Sequence, residues 1–137
     1  MTTLNPYLTF GGNCAEAMNF YKEVFGGELT IQTVGETPMA GKSPGGDAMV
    51  MHSALVSGGI TIYASDMLGG GSTVPGNMVT LCLNLTDEAE ARALYDKLLA
   101  GGKVGHALEV QFWGDLFGDL TDRYGIRWMI NCAKPKA

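Results

Sequence analysis

Residues 13–27, NCAEAMNFYKEVFGG, recur in outline at residues 87–101, DEAEARALYDKLLAG, and this repeat is the main guide to the architecture. At the shared offset of 74 positions (87 − 13), five residues are identical and three more exchange one apolar side chain for another. The identical pairs are Ala15/Ala89, Glu16/Glu90, Ala17/Ala91, Tyr21/Tyr95 and Gly27/Gly101. A unit used twice indicates that each copy leaves an apolar surface for the other to cover. It also predicts a ligand cleft between the copies.

Each copy of the repeat predicts an amphipathic helix of about three turns, because apolar residues recur at positions i, i+3, i+4 and i+7. Asn13 is expected to cap the first helix, with Glu16 returning the hydrogen bond as a capping-box partner. Asp87 and Glu90 repeat the device in the second copy. A pair of glycines then ends each helix.

Strand patterns surround both helices. In the first half they cover residues 7–10, 28–34, 48–56 and 60–64, and in the second half residues 78–85, 103–112, 116–121 and 126–132. Each half therefore reads β-α-β-β-β. We expect a single domain of 137 residues built from two modules, residues 1–68 and 76–133. Residues 35–47 are predicted as a Gly- and Pro-rich loop, and residues 66–77 as the linker.

The composition limits the classes of partner. The net charge is −5 and the nine Lys and Arg residues form no basic stripe, so neither nucleic acid nor an anionic membrane is an expected partner. The three cysteines are widely spaced and form no C-x-x-C motif, which argues against a disulfide framework or a thiolate zinc site. No run approaches the roughly 18 apolar residues of a membrane span, and the N-terminus lacks the features of a signal peptide. We therefore expect a soluble protein of the reducing cytoplasm.

Further motifs give the paired modules a family resemblance. They are Pro6-Tyr7-Leu8 before the first helix, Met51-His52-Ser53 in a later strand pattern, and above all Phe112-Trp113-Gly114-Asp115 with Phe117-Gly118. With these motifs the chain resembles the PhnB-like branch of the vicinal oxygen chelate superfamily, which includes glyoxalase I, extradiol dioxygenases and bleomycin-resistance proteins. The resemblance covers nearly the whole chain and implies an α+β fold in which two βαβββ modules form a curled mixed sheet around a cleft. It also implies a homodimer. A methyltransferase activity, a label some PhnB-like proteins have carried, is not expected, because no Gly-rich nucleotide loop follows a strand.

Metal-using members of this superfamily hold a divalent ion with four inward side chains, typically His or Glu, two from each module. The resemblance carries these positions to Pro6, Tyr63, Thr80 and Met129. Tyr63 can bind iron as a phenolate and Thr80 can coordinate weakly, but none of the four supplies a carboxylate or an imidazole. No metal and no other cofactor are therefore expected.

The other candidates for chemistry each have two interpretations. For His52, a half-buried histidine bonded to the backbone is favoured over a cleft residue that transfers a proton. Glu109 is equally consistent with a base beside aromatic residues and with an exposed residue of an edge strand. Trp113 and Phe112 are assigned to the core ahead of ligand stacking. His106 is assigned to the surface, and the trio Asp115, Asp119 and Asp122 to turns and caps rather than to a calcium site.

These observations predict a protein that binds a small organic molecule in a cleft between two modules, with no reaction assigned to it. An alternative is a metal-dependent lyase or oxygenase with displaced ligands such as His52 and Glu109. A third interpretation is a resistance protein that sequesters its ligand without turnover. The residues expected to line the cleft are His52, Tyr63, Thr80, Glu109, Trp113 and Met129.

Overall fold

The computed structural model describes residues 1–68 and 71–133, and the chain divides into two compact units, Met1–Val74 and Pro75–Ala137. The division falls within the segment predicted as a linker. No helix in the part of the chain described is long and apolar enough to cross a membrane.

The first unit has the predicted element order. It comprises strand β1 (Tyr7–Phe10), helix α1 (Cys14–Phe25) and strands β2 (Glu28–Thr33), β3 (Val50–Ser57) and β4 (Ile60–Asp66). The strands form one mixed sheet in the order β1-β4-β3-β2, in which β1 runs parallel to β4 and the other pairs are antiparallel. One face of the sheet packs against α1, and its core contains Met18, Tyr21, Leu55 and Ile62, each buried.

The second unit repeats this plan with one irregularity. It comprises β5 (Leu81–Leu85), α2 (Glu88–Leu99), β6 (Lys103–Val104), β7 (Glu109–Val110), β8 (Leu116–Thr121) and β9 (Arg127–Cys132). Its sheet has the order β5-β9-β8-β6, with β7 also paired to β8 and β5 parallel to β9. Helix α2 buries Leu94 and Leu98, while Trp128 and Ile130 of the sheet are buried in the same unit. The predicted α+β fold of βαβββ type is therefore confirmed, with the strands arranged as two mixed sheets.

The predicted strand over residues 103–112 is wrong, because the chain pairs with β8 only as the two short strands β6 and β7. Val104 lies opposite Leu120 and Val110 lies opposite Leu116. Seven residues, 104–110, therefore face five residues of β8, 116–120, and the two extra residues cannot join the ladder. The predicted start of β5 is also wrong, since residues 78–80 precede the strand, which begins at Leu81.

The cap of α1 is not the predicted one. The Asn13 side chain makes no capping hydrogen bond. Instead the Asp66 Oδ1 atom accepts hydrogen bonds from the backbone N–H groups of Gly12 and Cys14, each at 3.0 Å. Asp66, expected in the linker, ends β4 and is buried. In the second unit the predicted cap residue is confirmed, because the Asp87 carboxylate accepts from the Glu90 N–H at 3.2 Å.

Gly27 follows α1 in a conformation that only glycine tolerates here. Its φ is +89°, and a Cβ atom at this position would lie 2.2 Å from the carbonyl oxygen of Val56. The chain can therefore pass directly from the helix into β2 beside β3.

Candidate ligand-binding surfaces

Each sheet has one face covered by its helix and a second face, here called the open face, whose described side chains are exposed or half-buried. On the first sheet, Ser53 and Leu55 of β3 and Ile62 and Ala64 of β4 point to the helix side and are buried. Side chains alternate between the two faces of a strand, so their neighbours lie on the open face.

Three aromatic side chains meet on the open face of the first sheet: Tyr7, His52 and Tyr63, here called the aromatic cluster. The ring centroids of Tyr7 and Tyr63 are 6.4 Å apart, those of His52 and Tyr63 5.7 Å, and those of Tyr7 and His52 6.2 Å. The interplanar angles lie between 32° and 40°. Tyr7 retains 53% of its surface accessibility and His52 is also exposed. Tilted rings at this spacing offer a flat apolar surface edged by hydroxyl and imidazole groups.

The register of the strands explains this meeting. Tyr7 of β1 lies opposite Tyr63 of β4, and Tyr63 lies opposite Ala54 of β3. His52 is two residues before Ala54 and lies on the same face of β3, so its ring comes beside the two tyrosines. His52 and Tyr63 were both predicted as ligand-contacting residues, whereas Tyr7 was named only in the Pro6-Tyr7-Leu8 motif and was not predicted as a site residue. Tyr7 alternates with Leu8 and Phe10, which point to the covered side. This alternation in the sequence indicates that the Tyr7 side chain lies on the open face.

The favoured interpretation of His52 as half-buried and bonded to the backbone is wrong, because the side chain is exposed. His52 alternates with the buried Ser53 and Leu55, so its side chain lies on the open face. A register shift between Gln32 and Thr33 separates it from Val50. Gln32 lies opposite His52 and Thr33 lies opposite Val50, so Met51 has no partner in the ladder. The resulting bulge turns Val50 into the core, where it is 1% exposed. A regular alternation would have put Val50 and His52 on one face.

On the second sheet, Glu109 and Trp113 both come close to Phe117. Glu109 lies opposite Phe117 in the β7–β8 ladder, and the Trp113 ring centroid is 6.2 Å from that of Phe117. Met129 of β9 pairs with Cys82 on one side and with Asp119 on the other. Because Asp119 is two residues after Phe117 on β8, Met129 lies on the same face as Phe117. Thr80 precedes β5 and is half-buried.

The assignment of Phe112 and Trp113 to the core is wrong. Phe112 is 97% exposed and Trp113 is 51% exposed. The backbone N–H of Gly114 donates to the carbonyl of Gln111 at 2.9 Å, and the N–H of Gln111 donates to the carbonyl of Asp115 at 2.9 Å. Both aromatic residues therefore lie in a tight turn, which holds them outside the sheet.

The residues at the family metal positions do not fit a divalent ion. Proline, threonine and methionine side chains supply no charged or imidazole donor, and the Tyr63 ring packs in the aromatic cluster. Among residues 1–68 and 71–133, no group of three or more His, Cys, Asp or Glu side chains could hold a metal ion.

The buried thiols are poor nucleophiles. Burial, only partly offset by a hydrogen bond with Ser53, raises the pKa of Cys14 to about 11. Burial likewise raises the pKa of Cys132, with the carboxylates of Glu88, Asp87 and Asp115 acting in the same direction. Cys132 lines a pocket of about 230 Å³ with Glu88 at the start of α2, which is below the roughly 300–1,000 Å³ typical of ligand sites. Thiolate chemistry at neutral pH is therefore disfavoured at both residues.

The chain is similar to known proteins over nearly its whole length. The model of the Glyoxalase/Bleomycin resistance protein/Dioxygenase superfamily matches residues 3–130. Protein YjdN of Escherichia coli (strain K12) is 33% identical over 141 residues, covering 96% of this chain and 95% of YjdN. The crystal structure of protein PA1353 from Pseudomonas aeruginosa has a TM-score of 0.87 at 34% identity, covering 98% of this chain and 100% of that one. The PhnB protein from Bacillus cereus has a TM-score of 0.76 at 23% identity, with 96% and 100% covered, which shows a shared fold. The superfamily resemblance is confirmed, and a PhnB protein is among the structural neighbours.

Proposed function

We propose a function from the premise that this chain belongs to the Glyoxalase/Bleomycin resistance/Dioxygenase superfamily: it is a PhnB-like protein that binds a small organic molecule. The aromatic cluster of Tyr7, His52 and Tyr63 is the observation that carries the proposal. Three rings on an open sheet face are a costly arrangement for a surface that stays in water, and they suit the stacking of a planar ring. On the second unit, we propose Glu109, Trp113, Met129 and Thr80 as ligand-contacting residues.

A binding screen with matched variants tests this proposal. A library of small aromatic compounds is screened by ligand-observed NMR against the wild type, Tyr7→Leu, Tyr63→Leu and Phe112→Leu. Phe112 is the control, because it is an exposed aromatic residue outside the cluster. We expect hits that lose most of their signal with the two tyrosine variants and keep it with Phe112→Leu. Hits that bind all four proteins alike would contradict the assignment of the site. Incubating each hit with the protein and following it by mass spectrometry then separates sequestration from turnover.

Pairing of two chains is part of the proposal. Val74, Met78 and Val79 are 90%, 95% and 74% exposed and lie just before β5, an edge strand of the second sheet. Exposed apolar side chains next to an unpaired edge favour cover by another chain. We expect light scattering to give about 29 kDa, twice the 14.5 kDa of one chain. A mass of one chain at high protein concentration would refute the homodimer.

The metal-dependent lyase or oxygenase is the outcome that elemental analysis would reveal. Since the family positions lack suitable donors, we expect nickel, zinc, manganese and iron neither to copurify in stoichiometric amount nor to raise the melting temperature. An ion that is lost in His52→Ala would replace the binding proposal with the displaced-ligand enzyme. The three free thiols suit the cytoplasm, where such groups stay reduced, and we place the protein there.

A further inference from the structure

A histidine and an aspartate form a two-point contact on the second unit. The Asp119 Oδ2 atom lies 2.8 Å from Nδ1 of His106, and the Oδ1 atom accepts the backbone N–H of the same residue at 2.8 Å. One carboxylate therefore holds both the backbone and the ring of one residue. A simple surface ion pair fixes neither, and such pairs contribute little to stability.

The backbone around this pair is held as firmly. The Gly105 N–H donates to the Asp119 carbonyl at 3.0 Å, and the Asp119 N–H donates to the His106 carbonyl at 2.9 Å. The Tyr95 hydroxyl, on α2, lies 3.1 Å and 3.0 Å from the carbonyl oxygens of His106 and Asp119. Burial raises the pKa of the Tyr95 phenol, so the hydroxyl remains protonated and able to donate. A Cβ atom at Gly105 would lie 1.9 Å from Asp119 Oδ1, so only glycine admits this close approach.

The contact determines which ring nitrogen is available. Because a carboxylate accepts hydrogen bonds, a neutral His106 carries its proton on Nδ1 and leaves the lone pair on Nε2. The His106 side chain is 80% exposed and that of Asp119 only 19%, so the carboxylate lies behind the ring and Nε2 is accessible to solvent. A carboxylate in this position fixes the orientation and the tautomer of the ring. The pair adjoins Met129 on the open face of the second sheet, because Asp119 lies opposite that residue.

We propose that His106 and Asp119 form a proton-accepting site for a small molecule with a weakly acidic hydroxyl group, such as a phenol or an enol. In this step the O–H bond of the ligand breaks, its electron pair stays on the oxygen, and the proton forms a new bond to Nε2. The resulting oxyanion lies beside an imidazolium whose charge is balanced by Asp119. This site does not depend on the aromatic cluster, which belongs to the other unit.

Binding of 4-nitrophenol tests the site, because its phenolate form absorbs visible light. The probe is titrated in pH with the wild type, His106→Gln, Asp119→Asn, Lys97→Gln and His52→Gln, after circular dichroism has confirmed that each variant is folded. Lys97→Gln is the matched control, because Lys97 is an exposed residue of α2 that belongs to neither site, whereas His52→Gln reports binding at the aromatic cluster. We expect the wild type and Lys97→Gln to lower the pKa of the bound probe by about one unit through the imidazolium charge. The shift should disappear in His106→Gln and shrink in Asp119→Asn.

Absence of a shift with the wild type, or a shift that survives His106→Gln, overturns the proposal. A shift that is lost only in His52→Gln also overturns it and points to the aromatic cluster. If His106→Gln does not fold, ¹⁵N spectra of the wild-type imidazoles decide the question. The Nε2 resonance of His106 must then move towards the protonated position when the probe is added, and an unchanged resonance refutes the site.

Discussion

Replacement of Asp66 by alanine should destabilise the first unit more than loss of any other single carboxylate there. The Asp66 carboxylate, 4% exposed, accepts backbone N–H groups from Gly12 and Cys14 at 3.0 Å and from Val50 at 2.9 Å. It thereby joins the start of α1 and the start of β3 to the end of β4. The methyl side chain of alanine accepts no hydrogen bonds, so all three would be lost.

The magnitude follows from the number of groups left without a partner. The N–H groups of Cys14 and Val50 belong to buried residues, and an unsatisfied buried group costs about 1–3 kcal/mol. Gly12 is exposed, so water replaces part of its bond. The total is about 3–6 kcal/mol, a large share of the 5–15 kcal/mol typical of a folded domain. The exposed cap Asp87 has one bond, and its replacement by alanine should cost about 1 kcal/mol.

Urea unfolding followed by far-ultraviolet circular dichroism measures the difference. Tryptophan fluorescence is less suitable, because Trp113 and Trp128 both lie in the second unit. With a slope of about 2 kcal/mol/M, Asp66→Ala should lower the midpoint by about 2 M and Asp87→Ala by about 0.5 M. Asn13→Ala should leave the midpoint unchanged, since its side chain makes no capping bond. Equal losses for Asp66→Ala and Asp87→Ala, or a large loss for Asn13→Ala, would refute the reasoning.

Two further predictions concern glycine and cysteine. Gly27→Ala should cost at least twice as much unfolding free energy as Gly101→Ala in the same urea assay. The new Cβ would meet a backbone oxygen at 2.2 Å in the first case and the movable Arg123 side chain at 3.1 Å in the second, so equal costs would contradict the packing. In native protein at pH 8, Cys82, which is exposed, should react rapidly with a thiol-specific disulfide reagent. Cys14, whose pKa burial raises to about 11, should react only after unfolding, and rapid modification of Cys14 in the native state would show that it is accessible.

The sequence was sufficient for features set by neighbouring residues. Both helices and the order of elements along the first unit follow from periodicity and glycine stops, which are local signals. The sequence predicted the candidate site only in part. His52 and Tyr63 were singled out, but their contact with Tyr7 depends on a parallel register between β1 and β4. The placement of Val50 on the face opposite His52 depends on a bulge. Register and bulges are decided by pairing between distant segments, which a single sequence does not display.

The two copies of the repeat satisfy the same helix terminus by different means. Phe10 of β1 lies opposite Asp66, and Leu85 of β5 lies opposite Cys132, so Cys132 occupies in the second sheet the place of Asp66 in the first. A thiol cannot accept strong hydrogen bonds from several N–H groups. The second helix therefore needs its own cap, Asp87, whereas the first is capped across the sheet and leaves Asn13 unused. The small pocket beside Cys132 at the start of α2 corresponds in position to the Asp66 carboxylate of the first unit. The repeat thus preserved the helices while the contacts at their ends diverged, which explains why one capping rule held in one copy and failed in the other.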